Sequence, residues 1–200
     1  PLVRYARELV GKGSLGKIRV VQVEYPQEWL TVAAAADNKQ ASWRTNPALT
    51  GTGCLGDIGT HAFQLAQFIS QQKVNAVCSD VMSCVEGRLV DDNIHVLLRF
   101  DGGARGMLWA SQVAPGCENG LRIRIYGEKA SIEWAQESPN ELWFTELNKP
   151  RQRVTRRGDI GSDIAARGMR TPGGHPEGYL EAFANLYNDI ADILIAHEAG

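Results

Sequence analysis

No stretch of the sequence stays apolar for anything near the roughly 20 residues that a bilayer-crossing helix needs, so no membrane span is expected. Four cysteines are present, Cys54, Cys78, Cys84 and Cys117, but they form no Cys-x-x-Cys pair and no framework spacing. That argues against a zinc ribbon or a disulfide scaffold and for reduced thiols in a cytoplasmic protein. Charge of one sign is also missing: the formal net charge is −2, which removes the electrostatic case for nucleic acid or an anionic membrane as partner. No Gly-x-Ser-x-Gly elbow occurs, which speaks against a hydrolase nucleophile. No signal peptide is recognisable. Finally, there is no initiator methionine. The chain starts at Pro1, and Leu2, Val3, Ala6, Leu9 and Val10 follow at helical spacing with no capping residue ahead of them. The opening reads as the inside of an element of a longer protein.

What is present suffices for a core, with 44% hydrophobic residues in a chain of 200. The opening helix is expected to stop at Gly11-Lys-Gly-Ser-Leu-Gly16. Those letters match the dinucleotide fingerprint, yet the fingerprint needs a strand before it and a helix after it, so that a pyrophosphate meets a helix N-terminus. Here a helix precedes and the strand Lys17–Glu24 follows, so the match is a decoy. A long polar loop, from about 25 to 50, contains Trp29, Trp43 and Arg44; aromatics argue for function over disorder there.

After a helix from about Leu55 to Gln71, the periodicity changes to two. Val74–Val85, with an irregularity expected near Ser79-Asp80, Asn93–Phe100, Ala104–Val113, Leu121–Tyr126, Ser131–Trp134 and Glu141–Leu147 read as strands joined by short turns. The basic run Lys149–Arg157 reads as a solvated connection. Gly158-Asp-Ile-Gly161 repeats Gly56-Asp-Ile-Gly59, but Asp163 stands where the first copy has histidine, so the chemistry is not repeated. A last amphipathic helix carries Tyr179, Leu180, Phe183, Leu186, Tyr187, Ile190, Ile193 and Leu194 as an expected buried stripe. The expected fold class is α+β, an open, mostly antiparallel mixed sheet with helices packed on one face.

The chemistry concentrates in Gly51-Thr-Gly-Cys-Leu-Gly-Asp-Ile-Gly-Thr-His61. At about 100° per residue His61 falls about 40° from Asp57, and Ile58, Ala62, Leu65 and Ile69 lie between about 80° and 140°. The carboxylate and the imidazole thus share one helical face at the rim of the buried stripe. Histidine exchanges protons near neutral pH, and a neighbouring carboxylate selects a tautomer and favours the imidazolium. The glycines admit a ligand close to the backbone. The plainer alternative is a helix-start aspartate complementing the dipole, beside a histidine that merely packs. A metal site formed by Asp57, His61 and His175 is a third reading, without a second spaced cluster to support it.

Trp43-Arg-Thr-Asn-Pro47 followed by Gly53-Cys-Leu-Gly-Asp-Ile-Gly-Thr-His61 resembles the substrate-side motif of the Gfo/Idh/MocA oxidoreductases, the NAD(P)-dependent enzymes related to glucose–fructose oxidoreductase and inositol dehydrogenase. Gly16–Val23, Tyr126–Glu133 and Gly174–Asn185 extend the similarity over nearly the whole chain. The resemblance implies residues 1–15 as the remnant of a nucleotide-binding domain or linking helix, and 16–200 as a substrate-binding and oligomerisation domain. It also implies that His61 transfers the proton, with Asp57 orienting it or binding substrate, and that hydride moves between nicotinamide and a sugar or cyclitol. Trp43, Arg44 and His175 match positions near the substrate; a packed indole, a surface cation and a helix-start histidine are their alternative readings. NAD or NADP would serve the intact enzyme, with its main site and the lysine of the family's Glu-Lys-Pro motif outside this chain, and no tightly held cofactor or metal here. The chain alone should be inactive, and a homo-oligomer through the sheet face is expected. The alternatives are a non-catalytic self-association module and, with less in its favour, a metal-binding domain.

Overall fold

A ten-residue helix, α1 (Leu2–Gly11), opens the chain and buries Leu2 and Ala6. In the computed structural model, which describes residues 1–33, 37–157, 160–175 and 178–198, this helix is closed by Lys12, whose N–H reaches the Glu8 carbonyl. The loop that follows turns at Gly13 and Gly16, both at positive φ. It delivers the chain into strand β1 (Ile18–Pro26). Helix before and strand after is the reverse of what a dinucleotide cradle requires.

The long loop contains two short helices, α2 (Lys39–Arg44) and α3 (Pro47–Thr50), each started by an asparagine side chain, Asn38 and Asn46, that accepts a backbone N–H. A π turn (Leu55–Gly59) then runs into α4 (Thr60–Ser70). Seven further strands follow: β2 (Val74–Met82), β3 (Asn93–Phe100), β4 (Arg105–Ser111), β5 (Arg122–Gly127), β6 (Ala130–Ala135), β7 (Glu141–Glu146) and β8 (Gln152–Thr155). Two more helices, α5 (Asp163–Ala166) and α6 (Tyr179–Glu198), complete the described chain.

All eight strands join one open sheet in the order β2-β3-β4-β1-β5-β6-β7-β8. Two antiparallel meanders are thus separated by β1, which pairs parallel with β4 and antiparallel with β5. Helices α1 and α4 cover one face. Ile58, Ala62, Leu65 and Ile69, the stripe expected from periodicity, are all buried there against Val21, Ile94, Leu98 and Ile125. Each fully buried leucine or isoleucine contributes about 1.5–3 kcal/mol, so the stripe anchors the helix that carries Asp57 and His61. The other face is open: Leu97 and Met107 are 60% and 48% exposed. Among the described residues no helix is long and apolar enough to cross a membrane.

The structure corrects three expectations. The basic run is not a plain connection: part of it is β8, the edge strand on β7, where Arg153 meets Glu141 at 3.2 Å and Arg151 meets Glu133 at 3.0 Å. Acidic partners on neighbouring strands make the run compatible with the sheet. The irregularity of β2 lies between Val74 and Ala76, whereas Ser79 and Asp80 pair regularly with Val96 and His95. Most consequentially, the apolar stripe of α6 is not buried. Leu180, Phe183, Leu186, Tyr187, Ile190, Ile193 and Leu194 are all exposed, between 45% and 79%. The half-buried side of α6 is Glu181, Asn185 and Asp189, and Asp189 pairs with Arg4. Periodicity reports that a helix has an apolar face; it cannot report whether the same chain supplies a cover. Gly158 and Asp159 of the repeated tetrapeptide, Pro176, Glu177 and the side chain of Tyr179 lie outside the described residues.

Candidate active site

The segment leading to Asp57 is held from a distance. Gly51, at φ 72°, ends α3 in a conformation that disfavours other residues. Gly53 has no room for a side chain, since a Cβ there would sit 1.8 Å from the Asp91 carbonyl oxygen. That close approach lets Asp91 act as a cap. Its carboxylate accepts the N–H of Gly53 and of Leu55, both at 2.7 Å, and its carbonyl accepts the N–H of Cys54 at 2.8 Å. Three donors at a helix start are thereby satisfied. The buried Cys54 thiol also points at Asp91, at 3.3 Å. Burial, reinforced by the Asp91 charge, pushes this thiol far above its usual range.

The next turn is wider than an α-turn. The Thr60 N–H bonds back to the Leu55 carbonyl, an i→i+5 bond of the kind found at single π turns, which cluster at functional sites. The π turn carries Asp57 and runs directly into α4, which carries His61. The carboxylate of Asp57 is engaged elsewhere: Oδ1 accepts from Arg44 Nε at 3.2 Å and Oδ2 from Gln112 Nε2 at 2.7 Å. No hydrogen bond joins Asp57 to His61. The imidazole is exposed and meets the ring of Tyr25 edge-on, with centroids 6.3 Å apart.

Arg44 is fixed on several sides. Its guanidinium lies 4.2 Å from the ring centre of Trp43 and 5.8 Å from that of Trp29, both within cation–π range. It also bonds the side chain of Gln40. Trp29 Nε1 donates to Gln27 at 3.0 Å, and Gln27 and the Tyr25 hydroxyl both donate to Asn119 Oδ1, at 2.9 and 2.7 Å. A connected polar wall therefore runs from β1 to the arginine.

These groups surround a cleft of about 390 Å³, lined by Trp43, Arg44, Asp57, Thr60, His61 and Gln112 among others. Four of the five residues expected from the sequence thus meet in one place. His175 does not line this cleft; it is exposed on the loop before α6, its carbonyl held by the buried Arg156. Gln112, Asp91 and Tyr25 escaped sequence reasoning. Gln112 stands just beyond β4 and Asp91 just before β3, without a motif or period to mark either; Tyr25 reads as one more strand residue. Among the described residues no group of three or more His, Cys, Asp or Glu is placed to hold a metal ion.

A second depression of about 400 Å³ lies on the open sheet face, beside Leu97, Met107, Trp109, His95 and Arg124. Its walls carry stacked His95 and Trp109 rings.

Residues 3–133 match the GFO/IDH/MocA C-terminal domain. The chain is 36% identical over 189 residues to the uncharacterized oxidoreductase YfiI of Bacillus subtilis, covering 92% of this chain and 48% of YfiI. It is 30% identical over 164 residues to the levoglucosan dehydrogenase of Pseudarthrobacter phenanthrenivorans, covering 71% of this chain and 41% of that enzyme. The structure of an inositol dehydrogenase homolog from Azotobacter vinelandii, complexed with NADH and myo-inositol, superposes with a TM-score of 0.84 at 33% identity, covering 93% of this chain and 48% of that one. The chain spans less than half the length of each of these relatives. Matched by the family's C-terminal domain over residues 3–133 and 36% identical across 92% of its own length to a relative, this chain belongs to the GFO/IDH/MocA oxidoreductase family.

Proposed function

We propose that this chain is the substrate-binding and acid/base half of an NAD(P)-dependent oxidoreductase acting on a hydroxyl of a sugar or cyclitol. The observation that carries the reading is the convergence of Asp57, His61, Arg44 and Gln112 on one cleft, in a chain whose relatives include a levoglucosan dehydrogenase and a homolog complexed with NADH and myo-inositol. A nicotinamide cofactor, held outside this chain, would supply the hydride acceptor for the carbinol carbon. His61 removes the hydroxyl proton as the carbonyl forms, and returns a proton in the reverse direction. Asp57, held by Arg44 and Gln112, accepts a hydrogen bond from a substrate hydroxyl, and Trp43 offers apolar surface to the ring. Gly11–Gly16 does not fit a pyrophosphate, because β1 rather than a helix follows it. The cofactor cradle belongs to a part of the enzyme beyond these residues, and the chain alone is inactive.

The intact protein, assayed at 340 nm with NAD⁺ and NADP⁺ against a panel of cyclitols, pyranoses and anhydrosugars, should turn over at least one of them. Failure with the whole panel in both directions would overturn the reading.

The open sheet face supports self-association as a companion role. Leu97 and Met107 are exposed beside Trp109, on the sheet face that no helix covers among the described residues.

A further inference from the structure

The amide of Gln112 is 2% exposed, yet it belongs to no motif. Its backbone is held on both sides: its N–H donates to the Asp92 carbonyl at 2.8 Å, and its carbonyl accepts from the Leu30 N–H at 3.1 Å. Asp92 is itself fully buried, and its carboxylate accepts the N–H groups of Cys84 and Val85 at 2.7 and 3.1 Å and meets Arg88 at 3.3 Å. Arg88 in turn donates to the carbonyls of Leu30 and Val32. Every group that fixes the Gln112 backbone is thus fixed by another. The position also depends on the parallel pair: Ser111 is aligned with Pro26, so the chain leaving β4 enters the cleft beside the end of β1.

From this rigid base Gln112 Nε2 reaches Asp57 Oδ2 at 2.7 Å. Only the NH₂ end of an amide can face an ionised carboxylate, since its carbonyl end has no proton to donate. Arg44 Nε occupies the other oxygen. A carboxylate has about four acceptor sites; two are taken by the protein, and Asp57 still borders the cleft.

Building on the function proposed above, we infer that Gln112 is a positioning residue: with Arg44 it turns the Asp57 carboxylate away from His61 and fixes its remaining lone pairs for a substrate hydroxyl. His61 then works without a carboxylate partner, and Asp57 acts on the substrate directly. Alignment of this kind matters because a displacement of about 1 Å in a reacting constellation can cost about 10²-fold in rate.

The test uses the intact enzyme with its cofactor and a polyol that the wild type turns over. Gln112→Met keeps the side-chain length but donates no hydrogen bond; kcat/KM for the polyol should fall about 10- to 100-fold while the KM for the cofactor changes less than about twofold. Gln112→Glu keeps the shape and places a second carboxyl against Asp57. Two carboxylates in contact cannot both ionise freely, so the acidic limb of kcat/KM should move to higher pH; Arg44 on the Asp57 carboxylate, His61 on the cleft and Asp92 behind the Gln112 backbone are the other charged or titratable groups near the pair. A role confined to packing would leave that limb in place. Wild-type kcat/KM in Gln112→Met, or a Gln112→Glu profile that superposes on the wild type, overturns the role of Gln112 and leaves the enzyme assignment intact. Absence of wild-type turnover overturns both.

Discussion

Tyr25 and His61, brought together from β1 and α4, meet edge to face with their ring planes at 61°. The tyrosine is buried and its hydroxyl is committed to Asn119, so the ring is a fixed wall against which the exposed imidazole rests. The geometry leaves the ring nitrogens of His61 without a carboxylate and the residue itself on the cleft.

In the intact enzyme His61→Ala should therefore lower kcat by about 10²–10⁴-fold, the usual contribution of a positioned acid or base. Tyr25→Phe keeps the wall and removes one hydrogen bond, so it should cost about 1 kcal/mol of stability and little rate. Steady-state kinetics and urea unfolding of the two variants separate these effects. Wild-type turnover by His61→Ala would remove the assignment.

Asp91 should matter to the site without touching substrate. Asp91→Ala leaves the N–H groups of Gly53 and Leu55 without their acceptor, and hydrogen bonds to a charged group are worth about 1.5–3 kcal/mol each. A loss of about 3 kcal/mol is expected by urea denaturation. Gly53→Ala should do at least as much harm, because the Asp91 carbonyl is backbone and cannot step aside. A wild-type denaturation midpoint for either variant would contradict the capping role.

Cys54 makes stability depend on alkaline pH. Its folded thiol titrates far above the reference value of 9.0, so folded and unfolded states hold the same proton below about pH 9. Above it, the unfolded thiol ionises while the folded one does not. The unfolded state then binds fewer protons, and stability falls with rising pH by at most about 1.4 kcal/mol per unit for this one group. Unfolding measured from pH 8 to 10 should show the slope, and Cys54→Ala should flatten it. At neutral pH a maleimide should label exposed Cys78 and spare Cys54 in the folded chain.

Two uncovered apolar surfaces give a fourth prediction. Leu186→Lys with Ile193→Lys on α6, or Leu97→Lys with Met107→Lys on the sheet, replaces side chains that are already exposed. Each pair should change the thermal midpoint little. The sheet pair should lower self-association measured by light scattering, and the α6 pair should lower binding of a hydrophobic dye. A wild-type chain that is monomeric at every concentration would count against the sheet as an association surface.

Local chemistry made much of this legible in advance. The stripe Ile58, Ala62, Leu65 and Ile69 was readable because burial follows a period that the helix itself sets. The glycine decoy was readable because the order of helix and strand is local. Asp57, His61, Trp43 and Arg44 stand close in sequence, so their convergence needed only short connections. The stripe of α6 was equally readable as apolar and was misjudged as buried, since cover is a property of whatever packs on a helix.

By itself, then, the sequence determined the alternation that makes the strands, the apolar side of α4 and the place of Asp57 and His61 at its start. Tertiary structure decided what Asp57 is bonded to. The i+4 spacing pointed to His61, but the carboxylate is taken by Arg44 across 13 residues and by Gln112 across 55. Hydrogen bonds between distant segments depend on strand order and register. The parallel pairing of β1 with β4 brings Gln112 to Gly51–His61, and no local pattern encodes that pairing.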